Sequence, residues 1–356
     1  MTSGNLTIKA GSRAIEILRD EGLDLDRVRV LAGASGGPKW LVLSGMDLAL
    51  SRLLRGRTKE LQCIGSSIGS WRLAALAQED NQGAIRAFEE SYIHQSYDGR
   101  PSAEEVTAES RRIGEAYVSG DDIRYMLKHP FMRLAFVAVR SRWPGASDAF
   151  IPQTLHLLIA FAANAVKRRL LAPYFERTIF HARGFDPGII GDDAFRARMV
   201  GLTADDFRDA VLASGSIPLV MEGMRNIADA PPGTYRDGGV IDYHMNLPWA
   251  VADDELVFVP HFFEHIVPGW FDKHLPWRKH DPKGTENMVL VAPSAAFVAT
   301  LPGGKVPDRT DFKRYAGRND ERISDWKEIV RRCRVLGDEL EELCHLPGSK
   351  INVQPL

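Results

Sequence analysis

The chain has 356 residues, 44% apolar, 26% charged and 9% aromatic, which is the composition of a folded protein and excludes disorder as its main state. The 45 Lys plus Arg against 47 Asp plus Glu leave a formal net charge of -2, so no global field draws it to nucleic acid. Its cysteines, Cys63, Cys333 and Cys344, keep neither zinc nor redox spacing, which argues against a disulfide framework and for the reducing cytoplasm.

In chain order, Met1 to Leu6 has no basic stretch running into an apolar one, and no secretory signal is expected. Ala10 to Asp20 carries apolar residues at helical spacing and stops before Gly22, a helix with its end signal. Val28 to Ala32 is a short β-branched run that enters Gly33-Ala34-Ser35-Gly36-Gly37-Pro38-Lys39, and Trp40 to Leu54 reads as a helix. The pattern repeats at once with a strand at Leu61 to Ile64, a tight turn at Gly65 to Gly69 and a helix at Ser70 to Gln78. Strand, glycine turn and helix, twice over, predict an α/β fold with a parallel sheet and helices on its faces.

Asn81 to Leu127 is polar and helical, an insertion expected over about residues 79–130. Further strands are expected at Leu134 to Val139, Thr178 to Ala182, Leu256 to Val259 and Met288 to Val291. The most apolar window, Leu155 to Val166, is too short to span a bilayer and is closed by Lys167, Arg168 and Arg169. It reads as a core or lid helix, with a position against lipid as the alternative. Glu321 to Cys344 is the last long helix, amphipathic around Trp326, Ile329, Val330 and Leu336. One domain over 1–356 is expected, with its core at 28–260 and a peripheral region at 261–356.

Gly65-Ser66-Ser67-Ile68-Gly69 fits G-x-S-x-G between an apolar strand and a helix, the setting in which a sharp turn exposes a nucleophilic serine. Ser67 holds the centre of that frame, and the alternative is a glycine turn that only joins strand to helix. Ser35-Gly36-Gly37 ends the preceding strand, where backbone N-H groups can converge on a negative oxygen. A P-loop fails there, since Pro38 precedes Lys39 and Trp40 follows it, and G-x-G-x-x-G is not kept. An oxyanion hole survives. Downstream, Asp237-Gly238-Gly239 places a carboxylate on a tight loop, either as a structural Asp-Gly turn or as a base.

The three motifs in this order resemble the patatin-like phospholipase family, with Ala213-Ser214-Gly215-Ser216-Ile217-Pro218 similar to that family's small-residue helix end. The resemblance runs from about Val28 to Pro248. It implies a three-layer fold with a central, mostly parallel sheet, and a lipid acyl hydrolase with a Ser-Asp dyad, no catalytic histidine and no cofactor. By the same resemblance Ser67 is the nucleophile, Asp237 the base, and the amides at Ser35, Gly36 and Gly37 form the oxyanion hole. Gly65, Gly69, Gly238, Gly239 and Lys39 support these motifs. The family turn reads G-G-G-x-R/K-G, and here Ser35 and Trp40 stand at its first and last glycines. Expected partners are a lipid or acyl ester and, transiently, a membrane surface, with no nucleic acid.

Other chemistries remain open on the sequence. His261-Phe262-Phe263-Glu264-His265 fits H-x-x-E-H, a helical zinc site in which His261, Glu264 and His265 share the work. A Ser-Asp-His triad using His244 or His261 has the chain order of the α/β-hydrolases. A lipid-binding protein that keeps the fold without turnover is the third alternative.

Overall fold

The fold comes from a computed structural model that describes residues 4–97 and 99–356. Residues 1–3, within the stretch where no secretory signal is expected, and residue 98, in the expected insertion, lie outside the described residues. The chain runs through β1 (Leu6–Ala10), α1 (Ser12–Glu21), β2 (Val28–Gly33), α2 (Ser44–Leu53), β3 (Leu61–Ser66) and α3 (Ile68–Leu76). Three helices follow, α4 (Asn81–Ile93), α5 (Ala103–Tyr117) and α6 (Gly120–Leu127), before the chain returns to the sheet in β4 (Met132–Ser141). Next come α7 (Phe150–Val166), β5 (Phe175–His181), β6 (Ala197–Gly201), α8 (Phe207–Gly215), β7 (Met224–Arg225) and β8 (Thr234–Asp237). The last elements are β9 (Leu256–Pro260), β10 (Met288–Pro293), α9 (Ala295–Val298), α10 (Thr310–Arg314), α11 (Asn319–His345) and β11 (Val353–Pro355).

The strands form one sheet in the order β11-β1-β10-β9-β2-β3-β4-β5-β6. From β10 to β4 every pairing is parallel, while β1 on β10 and β5 on β4 are antiparallel. The central sheet is thus mostly parallel and flanked by helices. Alternation along the strands builds two cores. Leu31, Cys63, Phe136 and Phe258 face the layer of α1 to α6, α8 and α11, while Val30, Ala32, Ile64, Val137 and Val259 face the opposite side. Further along that second face, Val139 packs with Leu157 and Ala160 of α7.

Two expectations need correction. The helix expected from Trp40 is a 3-10 stretch over Gly37–Leu43, and regular helix starts only at Ser44. That tighter path carries Trp40 into the core, stacked on Phe88 at 4.3 Å. The region 261–356 is not peripheral: β10 sits between β1 and β9 in the sheet, and α11 buries Trp326, Leu336 and Leu340 against the helical core. A strand buried on both faces has no polar alternation to announce its central place. Among the described residues, no helix is long and apolar enough to cross a membrane.

Candidate active site

Strand β4 acts as the ruler of the site. Its first half pairs in parallel with β3, ending at Ser66 opposite Val137. Its second half pairs antiparallel with β8, starting at Asp237 opposite Ala138. Because β5 occupies the other edge of β4 over both halves, β3 and β8 share one edge and meet head to head. Ser67 and Asp237, 170 positions apart in sequence, therefore leave the ends of two abutting strands. The Ser67 hydroxyl donates to Asp237 Oδ2 at 2.7 Å.

Ser67 sits at φ 54°, ψ -129°, a backbone state that non-glycine residues adopt at a cost on the order of 1–3 kcal/mol. Its neighbours hold it there. The Ser67 amide donates to Ser214 Oγ at 2.9 Å, and Ser214 Oγ donates to the Val137 carbonyl at 2.6 Å. Ser70 Oγ lies 2.8 Å from Ser214 Oγ and donates to the Gly65 carbonyl. Gly69 lets the start of α3 press on the end of β2: a Cβ there would lie 2.1 Å from the Gly33 carbonyl oxygen. Ser214 lies in the small-residue stretch already noted, but its contact with the Ser67 amide is legible only once α8 is placed.

Asp237 is oriented from its own loop. The Gly239 amide donates to Asp237 Oδ1 at 2.7 Å, leaving Oδ2 for Ser67. The Asp237 amide donates to the Ser216 carbonyl at 2.9 Å, which ties β8 to the end of α8. Gly238 passes so close to β4 that a Cβ would lie 2.2 Å from the Val137 carbonyl oxygen. Burial pushes the Asp237 carboxyl up to about 6, against the opposing effects of the Ser67 and Gly239 hydrogen bonds and of Arg309 and Lys273. At neutral pH it is still mainly ionised and able to accept a proton.

The glycine-rich turn lies beside this pair. Gly37 has φ 55°, and among the described residues the amides of Gly36 and Gly37 donate no hydrogen bond within the protein. Ser35 is the exception to the expected set: its amide donates to the Tyr243 carbonyl at 2.8 Å. It has no N-H left for an oxyanion, and its hydroxyl donates to Ser66 Oγ instead. The donors available in this turn are therefore those of Gly36 and Gly37.

A cleft of about 220 Å³ opens above these residues, lined by Ser67, Asp237, Gly36, Gly37, Ile217, Pro218, Trp270 and a group of charged side chains. Lys39, Lys273 and Arg309 supply the cations and Asp308 the second acid. Burial, together with Arg309 and Lys305, lowers Lys39 to about 8 against the pull of Asp308. Lys273 is exposed as a residue, but its ammonium folds back to 3.6 Å from the Tyr243 ring centroid. Desolvation of that end, then repulsion from Lys39 and Arg309, lowers it to about 7. Lys273 and Arg309 were not legible as site residues, because no local motif marks them and the chain brings them in from the stretch expected at the periphery.

The rival constellations do not assemble. His261 follows β9 directly and residues 262–265 form bends, so the H-x-x-E-H helix is absent. Among the described residues no cluster of three or more His, Cys, Asp or Glu is placed to hold a metal ion. His244 and His261 are buried against each other, ring centroids 4.3 Å apart, and neither lines the cleft. Burial lowers His261 to about 3 and His244 well below its usual value. Asp237 spends its oxygens on Ser67 and Gly239, and no histidine stands between Asp237 and Ser67.

Comparison with known families settles the affiliation. The family model described as patatin-like phospholipase matches residues 49–253. The chain belongs to the patatin-like phospholipase family. The match takes in Ser67, Ser214 and Asp237, and it leaves out the Gly36–Gly37 turn, Lys39, Lys273 and Arg309. No curated protein matches the chain. Among solved structures, VipD from Legionella pneumophila is 13% identical over 75% of this chain and 55% of its own, with a TM-score of 0.32. Human GIVD cytosolic phospholipase A2 is 12% identical over 97% of this chain and 67% of its own, with a TM-score of 0.37. This patatin-like chain thus spans just over half the length of VipD.

Proposed function

We propose that this chain hydrolyses carboxylic esters of lipids or phospholipids, with Ser67 as nucleophile, Asp237 as base and the amides of Gly36 and Gly37 as oxyanion donors. The observation that carries the reading is the 2.7 Å hydrogen bond from the Ser67 hydroxyl to a buried carboxylate at the floor of an open cleft. Asp237 takes the Ser67 proton as the serine oxygen bonds to the ester carbonyl carbon. Charge gathers on the carbonyl oxygen beside the glycine amides. Collapse expels the alcohol, which regains the proton from Asp237. Water, deprotonated by the same carboxylate, attacks the acyl carbon; the bond to Ser67 breaks, the serine oxygen takes that proton back from Asp237, and the fatty acid leaves. No cofactor takes part in this route.

The wall supports an anionic substrate. Lys39, Lys273 and Arg309 face the cleft with Asp308, itself paired with Lys305 at 3.4 Å. A phosphate-bearing headgroup meets more positive than negative charge there. The cleft is smaller than the roughly 300–1,000 Å³ of sites that enclose a whole ligand, so it suits the ester and headgroup, with acyl chain left outside. A cytoplasmic protein that visits membrane surfaces fits this reading and the three free cysteines.

The test is labelling of the purified chain with a fluorophosphonate, beside Ser67→Ala and Asp237→Asn. Labelling at Ser67 that both variants lose supports the dyad. A folded chain that stays unlabelled and releases no fatty acid from phospholipid overturns it and leaves a lipid-binding protein on this fold.

A further inference from the structure

Helix α7 is built with its polarity reversed. None of its 17 residues is charged. It buries Gln153, His156, Leu157, Ala160 and Asn164, three of them polar. It exposes Ile151 at 78%, Leu155 at 53%, Leu158 at 60%, Ile159 at 44% and Val166 at 79%. Those positions fall on one side of a 3.6-residue helix, and a surface helix ordinarily shows the opposite arrangement. The helix cannot roll over to hide its apolar side, because two of its buried polar side chains, Gln153 and Asn164, are tied. Gln153 accepts from the Leu219 amide and donates to the Ser147 carbonyl, and Asn164 donates to Asp272 at 2.7 Å.

The apolar side continues past both helix ends. Trp143 (86% exposed) precedes it, Phe150 (65%) is its first residue, and Leu170 (40%) follows it. Trp277 (65%) is held near the C-terminal end because Arg278 donates to the Asn164 carbonyl at 2.5 Å. Exposed cations flank it, Arg142 at one end and Lys167 and Arg169 at the other. It also adjoins the mouth of the cleft: Leu219, bonded to Gln153, follows Ile217 and Pro218 of the lining, and Trp270 of the lining packs into the cluster of Leu157 and Ala160.

We infer that this α7 face is the surface by which the protein lies on an anionic lipid bilayer, with the cleft mouth turned to the lipid. An uncharged apolar stripe, tryptophans near its ends and basic residues around it are what the interfacial zone accommodates. A protein partner would meet no hydrogen-bonding side chain along Ile151, Leu155, Leu158, Ile159 and Val166, whereas protein interfaces combine such a core with polar contacts. The choice of lipid rests in part on the hydrolase reading, but the following test needs no turnover.

Ser67→Ala full chain is sedimented with vesicles of phosphatidylcholine alone and of phosphatidylcholine mixed with phosphatidylglycerol. The same is done after adding Leu155→Ser, Leu158→Ser and Ile159→Ser. The expected result is binding to the mixed vesicles that the triple substitution weakens by about tenfold or more, with an unchanged melting temperature because all three side chains are exposed. Absence of vesicle binding, or binding that the triple substitution leaves intact, overturns the inference. So does a dimer in solution that the triple substitution splits, which assigns the face to a second copy. Vesicle binding by a chain that never hydrolyses an ester leaves this inference standing while the hydrolase reading falls.

Discussion

The floor of the cleft and its wall are made from different kinds of chain. Ser67, Asp237 and Ser214 are buried, each at or near the end of a regular element, and all lie within the stretch matched by the family, 49–253. Lys39, Lys273 and Arg309 lie outside it, two on 3-10 segments and one in a loop, and none is fully buried. The contrast follows from range. A proton shared at 2.7 Å needs atoms held to within about 0.5 Å, which packed strand ends can do. Attraction between a cation and a phosphate extends over several ångströms and tolerates a loop. Damage to the floor should therefore reach the rate of bond breaking, and damage to the wall the choice of substrate.

The largest break is Ser67→Ala, expected to lower turnover about ten-thousandfold or more; Asp237→Asn, which removes the proposed base, is expected to cost about a thousandfold. Fatty-acid release from phospholipid vesicles measures both. The aspartate variant separates rate from stability. Burial raises the native carboxyl to about 6, above the roughly 3.9 of an unfolded chain. Between those values the native state holds more protons than the unfolded one, so this group's contribution to stability falls as pH rises through that window. Asp237→Asn is expected to gain on the order of 2 kcal/mol over wild type at pH near 8, and to lose that gain near pH 4. Urea unfolding at both pH values decides it. A variant that loses stability at both would mean that its hydrogen bonds outweigh the buried charge.

Next in size is the turn beside the floor. Gly36→Ala puts a Cβ 2.6 Å from the Phe262 ring and displaces the amide, which is expected to cost about a hundredfold in kcat with KM little changed. An equal loss in a Ser35 variant whose amide remains bonded to Tyr243 would argue that the donors lie elsewhere. In wild type, activity on a neutral ester should fall on acidification through about 6 as burial lets Asp237 take up its proton, about tenfold per pH unit below that point. A neutral-ester profile flat down to pH 5 would remove Asp237 as the base.

How much of this was legible depended on the distance over which each feature is decided. The Ser67 turn and the Asp237 loop carry their requirements locally, as glycines beside a strand end. The sheet showed itself through the two strand-turn-helix repeats. The amide of Ser35 looked free because its acceptor, the Tyr243 carbonyl, lies far along the chain. His261 to His265 satisfied a helical pattern, but β9 delivers them into a turn. The apolar character of α7 stood out in the sequence, whereas the tying of Gln153 and Asn164 inward is a tertiary fact. Lys273 and Arg309 had no local signature, since the charge recognition proposed for the wall asks for position and not for a motif.

The smallest effects should come from that wall. Lys273→Gln and Arg309→Gln are each expected to raise KM for a phosphate-bearing ester by about tenfold while leaving kcat, and all constants for a neutral ester, nearly unchanged. Lowered to about 7 and about 8 by burial and by neighbouring cations, Lys273 and Lys39 lose their protons as pH rises from neutral. KM for the anionic ester should climb over that range while Asp237 is already ionised. Arg309→Gln removes one of the charges that lowers Lys273, so the climb should move to higher pH even as the starting affinity drops. A direct structural role for Arg309 would weaken both esters alike and leave that midpoint in place.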